Sequence, residues 1–458
     1  MQEVLEAMRG VSSKSQLLKD YCPWLANFSA NKTNMELEIP GQYDGQKMPL
    51  PQYHVKIHKF HPEVLIMNSL RKPIKITILG NDTKEYSYLV KFGEDIRQDQ
   101  RVEQLFVLMN EMFQKNSDYL RQVSLATFEV IPLTSSLGII KWVDNTLKIQ
   151  DFMKQAIRDK RVAKAFPDSL VEKYSKFIFS AARGIKTERD AYGKSAQNHD
   201  RNKIIGHYLS LVNDVQSDLL RKAFWNISIS TESFIALRHN FMRSYATMCA
   251  AHWLLGIGDR HLGNTLISLE DGRVIGIDFG HAFGTATQSL GVPELIPFRL
   301  TPQIVSFMEP SKEKGHFRES MIHTLECLRE SKRLLLATMS VFIKEPSLDW
   351  LEKPKTETLK EENQAQLDWY PTQKIDQSRR KLEGVNSTVI MIEDLETGVV
   401  GEYRDAYYDL VKGVREFDYR AQIAKEGLSV EEQVDCLIDH AGDYNLLGRT
   451  YCGWLSWI

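Results

Sequence analysis

The sequence predicts an α+β protein with two lobes, a small β-rich lobe followed by a larger and mostly helical one. Its 458 residues are too many for one hydrophobic core and indicate two to four packed units. Short runs of β-forming residues, separated by proline and glycine turns, occupy residues 53–143. From Asn145 onward, the apolar residues recur mostly at helical spacing. Both patterns in this order favour a bilobal fold.

The small lobe is predicted to contain several strands and one long helix. The strands are expected at residues 53–60, 64–67, 74–79, 86–91, 125–132 and 137–143. A helix is predicted at residues 94–113, because Ile96, Val102 and Phe106 lie near helical spacing. The turn-rich stretch 35–52 is a connector that precedes this lobe.

The larger lobe is predicted to be helical except for one hairpin. A helix at residues 237–257 leads directly into Asp259, and an Asp-Gly-Arg turn joins strands at 265–269 and 274–277. The polar stretch 352–381 is either a solvated helix or a flexible insert. The Trp-rich end of the sequence, at 453–458, is so apolar that it has to be buried or bound to a partner.

Composition excludes several classes of protein. A net charge of −2 provides no basic field for holding DNA or an anionic membrane, so any nucleic-acid role would come through other parts or partners. The five cysteines are odd in number, widely spread and without a C-x-x-C pair, which favours a reducing cytosol or nucleus. Leu5, Met8, Leu17 and Leu18 suggest helical spacing, so the chain is expected to begin partway through a helical region of a larger protein.

The residues that suggest chemistry are Asp259, His261 and Asn264 in Asp-Arg-His-Leu-Gly-Asn, followed by Asp278 in Asp-Phe-Gly. A γ-phosphoryl group in transfer carries charge on its oxygens, and its magnesium ion needs hard oxygen ligands. Asn264 and Asp278 are the candidate metal ligands, and Asp259 is the candidate acceptor of the attacking hydroxyl's proton. His261 could donate a hydrogen bond to the charge developing on the γ-phosphate. These residues predict magnesium-assisted phosphoryl transfer.

Each of these two motifs alone has a structural explanation as well. Asp278 could merely end the second strand of the hairpin, and residues 271–273 are its turn. Protein kinases place a catalytic Asp and a metal-binding Asn at the same five-residue offset as Asp259 and Asn264. The two motifs in tandem, with a hairpin of suitable length between them, therefore favour catalysis.

The small lobe supplies candidates for the nucleotide end of the site. Lys91 closes a predicted strand and can neutralise phosphate, while Glu94 and Asp99 on the following helix can hold it. The alternative is a solvated lysine followed by helix-capping acids. Ser69 lies in a basic turn that could reach phosphate oxygens or could be plain surface. Trp142, at the junction of the lobes, either stacks on adenine or belongs to the core.

Three features together resemble the phosphatidylinositol 3-kinase-related protein kinases. They are Asp259 to Asn264 with Asp278-Phe-Gly, the run Gly-Glu-Asp-Ile-Arg-Gln-Asp-Gln-Arg at 93–101, and the Trp-rich tail. The resemblance implies a bilobal atypical kinase fold that uses ATP and Mg²⁺. It also implies that Leu266 and Ile277 line the adenine slot with Trp142. Gly263 departs from this pattern, because a glycine is more flexible than a catalytic loop is expected to be.

The same resemblance implies a division of the chain into five parts. Residues 1–40 would be the end of a helical FAT region and linker, 41–143 the kinase N-lobe, and 144–350 the C-lobe with the catalytic and activation loops. A regulatory insert at 351–425 and an FATC segment at 426–458 would follow, the latter packed beside the activation loop.

The activity implied by the family is phosphorylation of serine or threonine followed by glutamine. The stretches 36–45, 276–284 and 292–301 resemble one family member in particular. That member implies a nuclear role in the DNA-damage response, in double-strand break repair by non-homologous end joining. It also implies activation by the Ku heterodimer and DNA ends, through parts of the full-length protein absent here, and no membrane.

Two other functions remain as alternatives. A phosphoinositide lipid kinase shares the Asp-Arg-His and Asp-Phe-Gly arrangement, but its doubly phosphorylated headgroup needs basic residues in the activation loop. Between His281 and Leu300 the only formal cation is Arg299, which favours a protein substrate. A pseudokinase scaffold would be expected to lack one of the four core residues, and all four are present: Lys91, Asp259, Asn264 and Asp278.

Overall fold

The computed structural model describes residues 15–30, 36–43, 48–67, 69, 71–116, 123–180, 187–343, 364–398, 401–414 and 427–458. These residues form two compact units. The first contains the described residues up to Gln104 together with Thr127–Asp144. The second contains the described residues of Leu105–Ala126 and those from Asn145 onward.

The first unit is built on an antiparallel sheet. Its elements are β1 (Ser15–Leu17), α1 (Pro23–Asn27), β2 (Ile57–Phe60), β3 (Glu63–Ile66), β4 (Ile74–Gly80), β5 (Glu85–Phe92), the start of α2 (Arg97–Asn116), β6 (Val130–Thr134) and β7 (Leu137–Lys141). The strand order is β1-β3-β4-β5-β7-β6, and β2 also pairs with β4.

Side-chain alternation along β5 decides which of its residues face the core of the sheet. Tyr88 and Val90 are buried, and Val90 pairs with Ile74 of β4. Successive side chains of a strand leave opposite faces, so Lys91 points away from this core. The alternation therefore places Lys91 on the face of β5 that is opposite to the core of the sheet.

The second unit is mostly helical. Its helices are α3 (Ile149–Gln155), α4 (Lys160–Ala165), α5 (Asp168–Ser180), α6 (Glu188–Gln197), α7 (Arg201–Asn213), α8 (Leu219–Ile227), α9 (Thr231–Leu255), α10 (Thr285–Ser289), α11 (Pro302–Phe307), α12 (His316–Glu330), α13 (Lys332–Ile343), α14 (Gln364–Leu382), α15 (Ser387–Glu396), α16 (Arg404–Lys412), α17 (Val430–Ala441) and α18 (Tyr444–Leu447). A small sheet joins β8 (Thr146–Lys148), β9 (Thr265–Ser268) and β10 (Val274–Gly276), in the order β10-β9-β8.

The long helix α9 determines where the candidate catalytic loop begins. Ser230 and Ser233 form a reciprocal capping box at its start, and residues 244–255 are all buried. Gly256 ends the helix with a φ of +59°, and a Cβ at this position would lie 2.5 Å from the backbone nitrogen of Gly284. Glycine is therefore required there, and the helix stops at one defined residue.

Most strands of the first unit and the hairpin of the second lie close to their predicted positions. The stretch 125–129 was wrongly predicted as strand, since β6 begins only at Val130. Leu17, expected to be helical, lies in β1, which pairs with β3. The spacing of a few leucines does not reveal such an edge pairing. Leu5 and Met8 lie outside the described residues.

The polar stretch 352–381 is described only from residue 364 onward, where it forms α14. Lys374, Gln377, Ser378 and Lys381 are buried on this helix, so its part from residue 372 to 381 is neither a solvated helix nor a flexible insert, and residues 352–363 lie outside the described residues. Two of its buried lysines have partners inside the second unit: Lys374 Nζ lies 3.4 Å from Asp394 Oδ1, and Lys381 Nζ donates to Trp253 O. Among the described helices, none combines the length and the apolar character needed to span a lipid bilayer.

The Trp-rich tail, residues 453–458, is part of the core of the second unit. Trp457 is fully buried, and its ring centroid lies 4.7 Å from that of Tyr174. Ile458 and Trp454 are also buried. The expectation that so apolar a segment is buried is therefore confirmed.

We predict that Trp457→Ala destabilises the 458-residue chain by roughly 3–5 kcal/mol, because it leaves a cavity in a packed aromatic cluster. Trp225→Ala is the matched control, since 56% of the Trp225 side chain is already exposed. The control should change stability by less than about 0.5 kcal/mol. Denaturant unfolding followed by far-UV circular dichroism measures both, and equal effects would contradict the prediction.

Candidate active site

A single buried arginine joins the two acidic motifs of the second unit. The Arg260 guanidinium donates to Ile277 O at 2.9 Å and to Asp278 O. It also donates to Asn264 O at 3.4 Å. These carbonyls belong to both motifs, so the planar fork of one side chain sets the spacing between the loop that carries Asp259 and the strand end that carries Asp278.

The backbone of Asp259 is held on both sides. Its φ of +57° lies in the left-handed region, which few non-glycine residues adopt. Its N–H donates to Glu294 Oε2, and its carbonyl oxygen accepts from Asn264 Nδ2 at 2.9 Å. Both contacts use main-chain atoms of Asp259. They orient the residue without engaging its carboxylate, which suits a proton acceptor.

His261 is arranged as a neutral hydrogen-bond donor. Its Nδ1 accepts from the backbone N–H of Gly263 at 2.9 Å, so the neutral ring carries its proton on Nε2. Burial lowers the pKa of His261, against the opposing charge of Asp259. The neutral ring therefore carries a hydrogen-bond donor at Nε2, and its role toward a developing negative charge stays a prediction.

The glycine next to this histidine has a packing reason. A Cβ added at Gly263 would lie 2.7 Å from His261 Cε1, because the imidazole lies over the glycine backbone. From the sequence, Gly263 was expected to make the catalytic loop flexible. The structure shows instead that the His261 ring lies so close to the Gly263 backbone that a larger residue would not fit there.

Asn264 and Asp278 are the candidate metal ligands. Asn264 is buried, and its Nδ2 donates a hydrogen bond to Asp259 O. The other side-chain atom, Oδ1, is therefore the one that can face a cation. Ile277 N–H donates to Asn264 O at 3.1 Å, which holds the residue before Asp278 against the loop. An amide oxygen and a carboxylate fit a magnesium ion, which takes further ligands from phosphate and water. Within the described residues, no cluster of three or more His, Cys, Asp or Glu side chains could hold a metal ion.

Glu294 connects the catalytic loop to the tail. One of its carboxylate oxygens accepts from Asp259 N–H, and the other accepts from the indole N–H of Trp454 at 3.2 Å. The side chain is buried, and this burial raises the pKa of Glu294 to about 7. A buried carboxyl with two assigned donors is therefore a fixed bridge between loop and tail.

Arg299 makes a second connection between the same two segments. Its Nε donates to Arg260 O at 3.1 Å, and its guanidinium carbon lies 4.3 Å from the centroid of the Trp454 ring. Its remaining nitrogens donate to carbonyls of the tail, those of Trp454, Leu455 and Ile458. Arg299 thus holds the tail both through three of its main-chain carbonyls and through the Trp454 ring.

In the first unit, the structure brings Lys91 and Glu94 together. Lys91 Nζ lies 3.5 Å from Glu94 Oε1, and both side chains are partly buried. Arg71 shares the same carboxylate, because its Nη1 lies 3.1 Å from Glu94 Oε2 and also donates to Gly93 O. One acid therefore orients two cations on the same side of the sheet.

The other predicted nucleotide residues of the first unit belong to three different segments of its fold. Asp99 is buried in the first turn of α2, and Ser69 is exposed between β3 and β4. Trp142 is half-buried after β7, with Lys75 Nζ 4.6 Å from its ring centroid. That ammonium covers one face of the indole. The roles of these three residues stay predictions.

Leu266 and Ile277 belong to the second unit. Leu266 lies on β9 opposite Ile275, with its side chain partly exposed, and Ile277 directly follows β10. Both are apolar and partly accessible, as a base-binding surface requires. Their predicted place in an adenine slot with Trp142 stays a prediction.

Sequence reasoning missed the structural roles of Arg260, Glu294 and Arg299. The sequence did contain a signal, which is a charged residue inside an otherwise apolar run. Such a residue is expected to be buried, and a buried charge needs hydrogen-bond partners. Arg299 is the single formal cation of residues 281–300, but its partners in the tail lie more than a hundred residues away in sequence. Such partners are visible only in the folded chain.

Comparisons with known proteins identify the family. The model of the phosphatidylinositol 3- and 4-kinase family matches residues 85–352, and that of the FATC domain matches residues 427–458. The chain is 44% identical over 452 residues to the DNA-dependent protein kinase catalytic subunit of Mus musculus, covering 96% of this chain and 11% of the relative. It is 30% identical over 427 residues to the serine/threonine-protein kinase TOR2 of Saccharomyces cerevisiae, covering 92% of this chain and 16% of the relative.

The solved structures support the fold. The structure described as the FAT and kinase domain of CtTel1 matches with a TM-score of 0.65 and 23% identity. The match covers 99% of this chain and 28% of that one. The predicted class, an α+β kinase-like fold with a small sheet and a larger helical part, is therefore confirmed.

The chain belongs to the phosphatidylinositol 3- and 4-kinase family. Its FATC domain and its relatives place it among the phosphatidylinositol 3-kinase-related protein kinases, as the sequence motifs predicted. Within them it is 40–44% identical to DNA-dependent protein kinase catalytic subunits of several species. The chain spans about 11% of the length of these relatives.

We predict that Arg260→Lys lowers the rate of phosphoryl transfer about ten- to a hundredfold, because an ammonium cannot reproduce the planar fork that spans the carbonyls of both motifs. Arg273→Lys, on the exposed turn of the same hairpin, is the control and should retain the wild-type rate. Steady-state kinetics with ATP and a peptide measures both variants. A wild-type rate in Arg260→Lys would show that the guanidinium does not set the geometry.

We predict that Glu294 makes stability depend on pH. The pKa of Glu294 is about 7 in the folded chain against an ordinary 4.5, so its stabilising contribution is complete below about pH 4.5 and is lost as pH rises through 7. The melting temperature of the wild type should therefore fall relative to that of Glu294→Gln between pH 5 and pH 8. Glu270→Gln, at an exposed position, is the control and should run parallel to the wild type. A parallel course for Glu294→Gln would refute the prediction.

Proposed function

We propose that this chain is the catalytic part of an ATP- and Mg²⁺-dependent serine/threonine protein kinase. The single observation that carries the proposal is the buried Arg260, which ties the Asp259 loop to Asp278 through main-chain carbonyls. This tie supports the proposal because it joins the segments that carry a candidate proton acceptor, Asp259, and two candidate oxygen ligands, Asn264 and Asp278. Magnesium-assisted phosphoryl transfer requires this set of groups.

Each of these residues has a distinct proposed role. A bound magnesium ion would neutralise charge on the nucleotide's phosphates, with Asn264 and Asp278 as its protein ligands. Asp259 accepts the proton of the attacking hydroxyl, and His261 donates its Nε2–H to the phosphoryl oxygens. Lys91, oriented by Glu94, holds phosphate at the nucleotide end. The residues act by position and charge, and no covalent intermediate on the protein is required.

The burial of Arg299 supports a protein substrate rather than a phosphoinositide. A phosphorylated lipid headgroup needs accessible cations in the activation loop. Arg299 is the one formal cation between His281 and Leu300, and it is only 3% exposed. Its guanidinium is already bound to the carbonyls of the tail. A peptide hydroxyl needs no such cation, so this surface favours a protein.

The finer proposals rest on the similarity to the DNA-dependent protein kinase catalytic subunits. We propose that the kinase prefers serine or threonine followed by glutamine, and that it acts in the nucleus in double-strand break repair by non-homologous end joining. Ku and DNA ends would act through other parts of a longer protein. We further propose the five-part division made from the sequence, with 351–425 as the insert and 426–458 as the FATC segment.

The test is to incubate the chain with Mg²⁺ and labelled ATP, in separate reactions with a Ser-Gln peptide, a Ser-Ala peptide and phosphoinositide vesicles. We expect label in the Ser-Gln peptide, at least about tenfold less in the Ser-Ala peptide, and none in the lipid. Asp278→Ala should abolish labelling, because the cation loses its carboxylate ligand. Asp271→Ala, on the turn of the same hairpin, is the matched control and should keep the wild-type rate.

Each alternative outcome identifies a different error. Label in the vesicles alone would assign the chain to the lipid kinases. Equal label in both peptides would refute the glutamine preference and leave the kinase activity in place. Label in no substrate, with the chain folded by circular dichroism, would favour the scaffold.

A further inference from the structure

The C-terminus of α9 is capped by a buried lysine from a distant part of the chain. Lys381, near the end of α14, donates from Nζ to Trp253 O at 2.7 Å and to Leu254 O at 3.5 Å. The last carbonyls of a helix have no intrahelical donor, and the helix dipole places partial negative charge on them. The Lys381 ammonium therefore sits where a cation is favourable, and its Nζ lies 5.5 Å from the centroid of the Trp253 ring.

This cap lies immediately before the catalytic loop. Only three residues separate the end of α9 from Asp259. In that short stretch, Gly256 N–H donates to the same Trp253 carbonyl at 3.1 Å, and Gly258 N–H donates to His281 O at 2.9 Å. A displacement of the C-terminus of α9 would therefore also displace Asp259, because the connecting segment is short and hydrogen-bonded.

Lys381 is itself fixed by the FATC region. Its carbonyl oxygen accepts from Gln433 Nε2 of α17 at 2.9 Å, and the same amide nitrogen donates to Val385 O at 2.8 Å. Arg329 in turn donates to Gln433 Oε1 at 2.8 Å. The backbone of Lys381, from which the capping ammonium extends, is thus anchored by a buried hydrogen-bond network.

We propose that Lys381 is a positioning residue for phosphoryl transfer: its ammonium caps α9 and so fixes how the chain enters the loop that carries Asp259. The inference rests on the proposed kinase function, since the loop it positions is the proposed catalytic loop. It assigns a role in activity to α14, which belongs to the stretch predicted to be a regulatory insert.

The charge of Lys381 gives the inference a pH signature. Burial lowers the pKa of Lys381 to about 8, with the charge of Asp394 opposing this effect and that of Lys374 adding to it. Asp394, Glu294 and His252 are the other titratable residues that line the cavity of about 50 Å³ beside Lys381. Deprotonation of Lys381 leaves a neutral amine, which is a weaker cap than an ammonium.

The test compares Lys381→Met with Lys374→Met, the removal of a second buried lysine from the same helix. The ammonium of Lys374 is bound to Asp394 of α15 at 3.4 Å and lies 3.4 Å from Gln377 Oε1 of its own helix. We expect Lys381→Met to lower kcat about tenfold while the KM for ATP changes less than about twofold, because loop geometry is lost and nucleotide binding is not. Lys374→Met should lower the melting temperature but keep kcat within about twofold of the wild type.

Two further measurements separate positioning from general stability. Lys381→Arg keeps a cationic donor and should recover kcat above that of Lys381→Met. The kcat of the wild type should fall on the alkaline side with a midpoint near pH 8, the pKa of Lys381, and this decline should be absent from Lys381→Met. Equal loss of kcat in Lys381→Met and Lys374→Met, or an unchanged alkaline decline, would overturn the inference.

Hydrogen–deuterium exchange tests the inference independently of activity. Peptides that cover residues 253–262 should exchange faster in Lys381→Met than in Lys374→Met, because the end of α9 has lost its cap. Equal exchange in the two variants would overturn the inference. If the wild type transfers no phosphate to any substrate, the kinase proposal fails, and the exchange result still decides whether Lys381 positions the loop.

Discussion

The arrangement of the site depends on one buried guanidinium that is bound by main-chain carbonyls. Arg260 donates to carbonyl oxygens of both acidic motifs, so a single rigid planar group holds the two motifs next to each other. Burying a cation is costly unless hydrogen bonds replace its water, and here carbonyl oxygens do so. Arg260 therefore joins the two motifs through main-chain acceptors.

Buried polar side chains also connect the loop to the tail. Glu294 and Arg299 connect the loop to residues 453–458, each through hydrogen bonds to buried groups, and Trp457 anchors that segment in the core. Lys381 repeats the pattern from another direction, because it caps the helix that leads into the loop. A buried polar network of this kind loses much of its value when one member is removed. The loop is therefore supported by segments that lie far from it in sequence.

The sequence was a good guide wherever a pattern is local. The alternating runs predicted β3, β4, β5 and the β9–β10 hairpin close to their bounds, and the spacing of apolar residues predicted most of α2 and α9. The candidate site residues were chosen from two short motifs and a strand-end lysine. The errors lie elsewhere: β1 was expected to be helical, and α14 was expected to be solvated or flexible. In both, the deciding interaction is with a segment distant in sequence, the β3 partner of β1 and the buried acceptors of Lys374 and Lys381.

The sequence by itself determined the residue types that the chemistry needs, the hairpin that separates the two acidic motifs, and the family. Residue type and short-range spacing suffice for these, because they depend on a side chain's own groups and on local backbone preference. Only the tertiary structure decided that Arg260 joins the motifs, that Glu294 holds Asp259, and that the tail and α14 support the loop. A buried hydrogen bond depends on which donor meets which acceptor after folding, and a linear sequence does not specify that pairing.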